Sequence, residues 1–214
     1  MKEMKDKLDV EQLGVLKADQ SAIPWMLAIT GEEKKMNRNQ TEEYNRIMER
    51  LDRLVSKHFE QSVNCAQSPF AALHQEFGLE GDINILIKAA TFMPGLVSRK
   101  ETCGAVIGCL MALGLVYGSD HMQAPKLGTK EMDKLFEFKR RAWTFCEKFK
   151  QEFGSTSCGD IRPKIMGPEY YNYDGLDPKW RQKFLSDGGA TKCRVPPVTA
   201  AKIAAELILK GREL

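Results

Sequence analysis

The sequence lacks the short motifs that mark the common catalytic and nucleotide-binding sites. It contains no P-loop, GxGxxG, GxSxG or HExxH pattern, so nucleotide and hydrolase chemistry have no support. It also contains no CxxC pair, which zinc ribbons and ferredoxins usually carry, and no CxxCH motif for covalent haem attachment. A metal or redox site would therefore have to use residues that are distant in the sequence.

A strong net charge is also missing. The chain has 32 Lys and Arg against 29 Asp and Glu, a net charge of +3 over 214 residues, which favours binding to neither nucleic acid nor an anionic membrane. The first 14 residues contain no apolar signal region, so we expect a cytoplasmic protein. The uncharged run 102–119 is at the short limit for a membrane span, but without an aromatic belt it is better interpreted as a buried helix.

Convincing strand alternation is absent, whereas apolar residues recur at helical spacing through most of the chain. The predicted fold is all-α, a compact bundle of five or six helices. Thr41 and Asp82 are predicted to cap the helices that follow them, and Gly78 and Gly154 to end helices.

Residues 1–40 are predicted to be an N-terminal appendage and residues 41–214 a single helical domain. Within that domain, the Gly-, Pro-, Tyr- and Asp-rich segment 160–192 is predicted to be an irregular insertion with a short helix in "DPKWRQKFL".

Cysteine, by contrast, is plentiful, with six in the chain. Without a secretory signal, structural disulfides are disfavoured, and metal binding or redox chemistry gains weight. Cys109 and Cys146 fall inside predicted helices among apolar neighbours and are predicted to be core residues. The other four stand at the ends of predicted elements: Cys65, Cys103, Cys158 and Cys193.

These end positions matter because the N-terminus of a helix favours negative charge. Cys65, Cys103 and Cys193 are placed to use this effect, so their thiol pKa values are expected to fall towards neutrality. Several helix N-termini can meet at one end of a bundle. The four thiols could therefore converge on one shared site, although their spacing alone does not require it.

Small residues form a stripe along the helix that follows Cys103. Gly104, Gly108 and Ala112 fall at positions i, i+4 and i+8, and therefore on one face. Because each glycine costs a helix about 1 kcal/mol relative to alanine, the stripe needs a compensating reason. Close approach of another helix is one such reason, and access of a cluster or partner sulfur to Cys103 is another.

Three stretches carry a resemblance to a known family: "NCAQS", "ETCGAVIGCLMALGLVYG" and "FGSTSC", followed by a late lone cysteine. They resemble the C-GCAxxG-C-C family of redox-active proteins, with "CGAVIG" at Cys103–Gly108 as its central motif. The other family cysteines match Cys65, Cys158 and Cys193, the last by order and by the helix that follows it. The chain departs from the family in having few glycines before the motif and in its insertion and appendage.

The resemblance implies redox activity without an established substrate. The family is also similar to split-Soret cytochromes, which carry an iron–sulfur cluster besides haem, and the cluster is the part that could carry over. The resemblance thus implies a cluster, with [2Fe–2S] one candidate. Its implied ligands are Cys65, Cys103, Cys158 and Cys193, with Gly104 and Gly108 beside it.

Three functions stay open at this point. The first is electron transfer or redox sensing through the cluster, with an unknown redox partner protein. The second is a cofactor-free thiol–disulfide protein that uses the same four cysteines, and the third is a non-catalytic binding module with a structural zinc. A homodimer is also expected, because small helical units with close-packing glycines often associate.

Overall fold

The structure is a computed structural model that describes residues 37–61, 64–119 and 125–211. Within these ranges the backbone is helical apart from turns and connections, and its β-type pairing is limited to an isolated bridge between Thr102 and Ser157. The prediction of an all-α fold is confirmed.

Residues 39–214 form one compact unit. The appendage predicted for residues 1–40 lies almost wholly outside the described residues, so the boundary at residue 40 stays a prediction. The first described helix begins at Arg38, three residues before the cap predicted at Thr41.

The described residues form eight helices of seven residues or more. They are α1 (Arg38–Glu60), α2 (Gln67–Phe77), α3 (Ile83–Ala89), α4 (Gly104–Tyr117), α5 (Lys130–Phe153), α6 (Cys158–Met166), α7 (Pro178–Ser186) and α8 (Val195–Gly211). Two single-turn helices stand between them, the 3-10 helix Pro168–Asn172 and Gly189–Lys192, and Gly95–Ser98 forms a left-handed turn.

Local sequence signals set many of the helix ends. The Asp82 side chain accepts a hydrogen bond from the Asn84 N–H and so caps α3, as the sequence predicts. Gly78 and Gly154 end α2 and α5 with φ of 58° and 75°, a left-handed conformation that glycine adopts without steric cost.

Helix α4 lies at the centre of the bundle and packs against α2, α5 and α8. Small residues make this possible: α8 presents Ala200, Ala201, Ala204 and Ala205 to the core, all fully buried. Cys109 is also fully buried in this core, and Cys146 packs against it half-buried. The prediction that both are core residues is confirmed.

The segment 160–192 is mostly helical, so the expectation of an irregular insertion is wrong. It contains most of α6, the 3-10 helix, α7 and the single turn at Gly189–Lys192. These helices are too short to display helical periodicity in the sequence, and prolines mark their starts, including Pro168 and Pro178. Its aromatic side chains form a second, small core around Tyr170, which is 1 % exposed.

No helix among the described residues is both long and apolar enough to cross a membrane. The uncharged run 102–119 forms α4, whose 14 residues are fewer than a span requires.

Candidate four-cysteine site

The starts of α4 and α6 are tied together by their backbones, and each start carries a cysteine. The Cys103 N–H donates to the Thr156 carbonyl at 2.8 Å, and the Cys158 N–H donates to the Glu101 carbonyl at 2.6 Å. Cys103 is the N-cap residue of α4, and Cys158 is the first residue of α6. The short antiparallel pairing thus places two buried thiols side by side at two helix N-termini.

Cys65 is held in the first turn of α2 by a reciprocal cap. Asn64 Oδ1 accepts from the N–H groups of Ala66 and Gln67, each at 3.0 Å, while the Asn64 N–H donates to Gln67 Oε1 at 3.4 Å. This is the arrangement of a capping box, and it starts the helical turn at Cys65, two residues ahead of Gln67.

The glycines of α4 let this turn approach closely. A Cβ atom at Gly104 would stand 2.5 Å from Cys65 Sγ, and one at Gly108 would stand 2.9 Å from the carbonyl carbon of Ala66. Real Cβ atoms essentially never show contacts under 3.0 Å. The close helix approach expected from the stripe is therefore present, and it lies at the sulfur of Cys65.

Cys193 reaches the same region from the far end of the chain. It ends the single-turn helix Gly189–Lys192, where its N–H donates to the Gly189 carbonyl at 2.9 Å. Helix α8 begins two residues later at Val195. The positive charge of Arg162 on α6 lowers the pKa of the Cys193 thiol, so the two side chains lie near each other.

Electrostatic coupling shows that the four thiols are neighbours. Burial is the main cause that raises the pKa of Cys65 well above its ordinary value, and repulsion from Cys103, Cys158 and Cys193 raises it further. Such repulsion is appreciable only at short range. The structure therefore brings together the four cysteines that the sequence singled out.

The remaining two cysteines differ in their surroundings. The pKa of Cys109 is raised well above its ordinary value by burial and by the nearby Cys103. The pKa of Cys146 is raised by burial and by Glu147, with no contribution from the other thiols. Cys146 is therefore a natural control for the set.

The expected lowering of the thiol pKa values is wrong. Burial raises the pKa of Cys103 to about 12 and that of Cys193 to about 11. The backbone N–H groups of Ala105 and Val106 at the start of α4 do oppose the shift in the pKa of Cys103, as a helix N-terminus should. The cost of burying a thiolate among other thiols exceeds this effect, so the metal-free protein holds neutral thiols at neutral pH.

Sequence reasoning missed Arg162, which lies next to the site. Arg162 stands four residues after Cys158 on α6, and its guanidinium lies 3.9 Å from the ring centroid of Tyr173. The positive charge of Arg162 lowers the pKa values of Cys65, Cys158 and Cys193 against the effect of burial. The i, i+4 spacing from Cys158 was the one signal in the sequence that could have found it.

The strained turn Gly95–Ser98 lies against another side of the site. Gly95, with φ of 50°, approaches Cys158 so closely that a Cβ would stand 3.4 Å from Cys158 Sγ. Three non-glycine residues after it, Leu96, Val97 and Ser98, have φ of 36°, 56° and 64°. Residues in this left-handed region are costly and tend to cluster at functional sites. Neither the loop conformation nor its contact with Cys158 was predicted.

The described residues contain six free cysteines, and no group of three or more Cys, His, Asp or Glu side chains among them is arranged to hold a metal ion. A single zinc ion needs its sulfur ligands about 2.3 Å from one point. The four cysteines thus lie close enough to affect one another's pKa values, but their sulfur atoms do not surround a single point.

Comparison with known proteins shows the family of the chain. The fold and site define a small helical protein in which four cysteines, distant in the sequence, lie in one region, two of them buried and two half-buried. The family model described as "Putative redox-active protein (C_GCAxxG_C_C)" matches residues 63–207, more than half of the chain. The chain therefore belongs to the C-GCAxxG-C-C family. No curated protein and no solved structure matches it.

The raised pKa values predict a particular pH dependence of thiol alkylation. Since the thiolate is the reactive form, alkylation of Cys103 and Cys193 by iodoacetamide should rise about tenfold per pH unit from pH 7 to 9.5 without levelling off. Peptide mass spectrometry of the metal-free protein measures this. In urea, where the pKa returns to about 8.5, the same rates should level off within this range. Native rates that level off near pH 8 would contradict the prediction.

Proposed function

We propose that the protein is an electron-transfer or redox-sensing protein that works through an iron–sulfur cluster held by four cysteines. The proposed ligands are Cys65, Cys103, Cys158 and Cys193. What supports the proposal is the placement of these four cysteines, which come from separate segments of the chain and lie close enough for three of them to raise the pKa of Cys65.

The chemistry of these residues fits such a group. Four neutral, buried thiols that repel one another as thiolates gain most from a metal centre, because the metal deprotonates them and balances their charge. The N-terminus of α4 at Cys103 and the positive charge of Arg162 near Cys193 both favour thiolates. Groups of this kind stabilise cysteine ligands of clusters and tune their potentials.

We favour a cluster over a single zinc ion because the family is described as redox-active and zinc has no redox chemistry. A cluster would spread its cysteine ligands over several iron atoms. When bound, the cluster would accept and release single electrons. The glycines at 104 and 108 would serve it by leaving room for the Cys65 turn against α4.

The thiol–disulfide alternative has weaker support. Thiol–disulfide exchange needs an attacking thiolate, and burial raises the pKa of all four thiols. The raised thiol pKa values leave disulfide formation possible but slow at neutral pH. A redox partner protein and a cytoplasmic location complete our proposal, since free thiols persist in reducing compartments. The homodimer expected from the sequence stays a prediction.

Anaerobic reconstitution tests the proposed function. We expect protein incubated with iron and sulfide to become coloured and to retain both elements after desalting, with visible absorption that bleaches on reduction. In a parallel experiment, the free thiols are counted before and after mild oxidation. Colourless, iron-free protein would overturn the proposal, and loss of thiols in pairs would then favour the disulfide alternative. Zinc retained without redox change would favour the binding module.

A further inference from the structure

Arg162 lies near the cysteines and against a buried aromatic ring. It stands one helical turn beyond Cys158, and its guanidinium stacks on Tyr173 at 3.9 Å from the ring centroid. Its positive charge lowers the pKa of Cys193. Tyr173 is itself 8 % exposed and packs in the small core with Tyr170 and Trp180. An arginine stacked on a buried ring has little freedom to move away from the cysteines.

One hydrogen-bond donor of the Arg162 side chain lacks an acceptor. Arg162 Nε is buried, and no described residue offers it a hydrogen-bond acceptor. Burying a guanidinium nitrogen without an acceptor is costly, so native proteins usually provide a partner. The nearby groups that could accept charge are the thiols, and as neutral thiols they are weak acceptors. Thiolates would satisfy the guanidinium much better.

We propose that Arg162 is the positioning residue that balances the negative charge of the loaded four-cysteine site and raises its reduction potential. The inference rests on the proposed function. Four thiolates outweigh the positive charge of a small iron–sulfur core, and reduction by one electron from an external donor adds a further negative charge. A fixed cation beside Cys158 and Cys193 therefore stabilises the reduced form more than the oxidised form.

The proposal also gives the segment 160–192 a purpose. Arg162 and Tyr173 both belong to this segment, and its small aromatic core holds the guanidinium against the cysteines. On this proposal, the segment 160–192 is part of the functional site.

Redox titration of reconstituted variants tests the role of Arg162. At a fixed solution potential, Arg162→Gln should raise the ratio of oxidised to reduced cluster at least tenfold. This equals a fall of about 59 mV in the reduction potential of a one-electron couple. Arg162→Lys, which keeps the charge, should recover part of this shift. Arg181→Gln is the matched control, because Arg181 is an exposed cation that also acts on Tyr173. Iron and sulfide contents are measured on every sample.

A second readout does not depend on iron. Four thiolates around Cd²⁺ also carry a net negative charge, so Arg162→Gln should weaken Cd²⁺ binding to the metal-free protein roughly tenfold, as outer-shell changes typically do. Arg181→Gln should bind Cd²⁺ as the unmodified chain does.

The two readouts separate the two proposals. If the unmodified protein loads iron and sulfide but Arg162→Gln leaves the potential unchanged, the inference fails and the proposed function stands. If no sample loads a cluster, the proposed function fails, and the Cd²⁺ titration alone decides whether Arg162 balances the charge of the thiols. Equal Cd²⁺ affinities would overturn the inference in that case.

Discussion

Serine at any one of four positions is expected to abolish stable cluster loading: Cys65, Cys103, Cys158 and Cys193. A hydroxyl is not deprotonated near neutral pH, so each change removes one ligand while keeping the size of the side chain. Outer-shell changes already cost metal sites roughly 10- to 100-fold in affinity, and loss of a ligand should cost at least as much. Iron and sulfide per chain after anaerobic reconstitution and desalting measure the effect.

The chain offers two controls for these variants. Cys146→Ser should load as the unmodified protein does, because the Cys146 thiol is not coupled to the other thiols. Cys109→Ala is the stricter control, since Cys109 is fully buried and close to Cys103 yet outside the proposed ligand set. Full loading of Cys193→Ser, the ligand matched least securely by sequence, would show that the fourth ligand lies elsewhere.

Alanine at two glycines of α4 is expected to destabilise the protein. Gly104→Ala brings a Cβ within 2.5 Å of Cys65 Sγ, and Gly108→Ala brings one against the backbone of Ala66. Overpacking of this kind typically costs about 1–3 kcal/mol. Urea unfolding of the metal-free protein measures the loss in the free energy of unfolding. Gly104→Ala should also reduce cluster loading, because the atom it displaces is the Cys65 sulfur.

The same helix supplies the matched control. Gly114 is exposed, and a Cβ there would meet nothing within 4 Å. Gly114→Ala should therefore raise the free energy of unfolding by about 0.5–1 kcal/mol, the ordinary gain from replacing glycine within a helix. If all three alanine variants were equally stable, the contact between α4 and the Cys65 turn would not exist in solution.

The sequence predicted the helices well where periodicity was long and caps were clear. Helices α2 and α5 end at Gly78 and Gly154, and α3 begins after its Asp82 cap. Each of these signals acts within a few residues, so the sequence alone displays it. Of the short helices in 160–192, only α7 was predicted, from "DPKWRQKFL", and the others were missed because two turns cannot show a period.

The four cysteines of the proposed site could be singled out from the sequence, whereas their environment could not. The positions of Cys65, Cys103, Cys158 and Cys193 at element ends were visible in the sequence, whereas their pKa values were not. A helix N-terminus is a local property, while burial depends on which other elements cover the thiol. The guanidinium of Arg162 likewise reaches the site only through the tertiary packing of α6 against its neighbours.

The backbone pairing between the starts of α4 and α6 has a consequence for biosynthesis. Ser157 Oγ donates to the Lys100 carbonyl across 57 residues of sequence, and Cys103 receives its backbone partner from the same distant segment. A nascent chain emerging from the ribosome thus exposes Cys103 until the start of α6 follows it out. Cys193 is made later still, so the four thiols can come together only after all four of their segments have been synthesised. The proposed cluster would therefore have to enter a chain that has been made through Cys193.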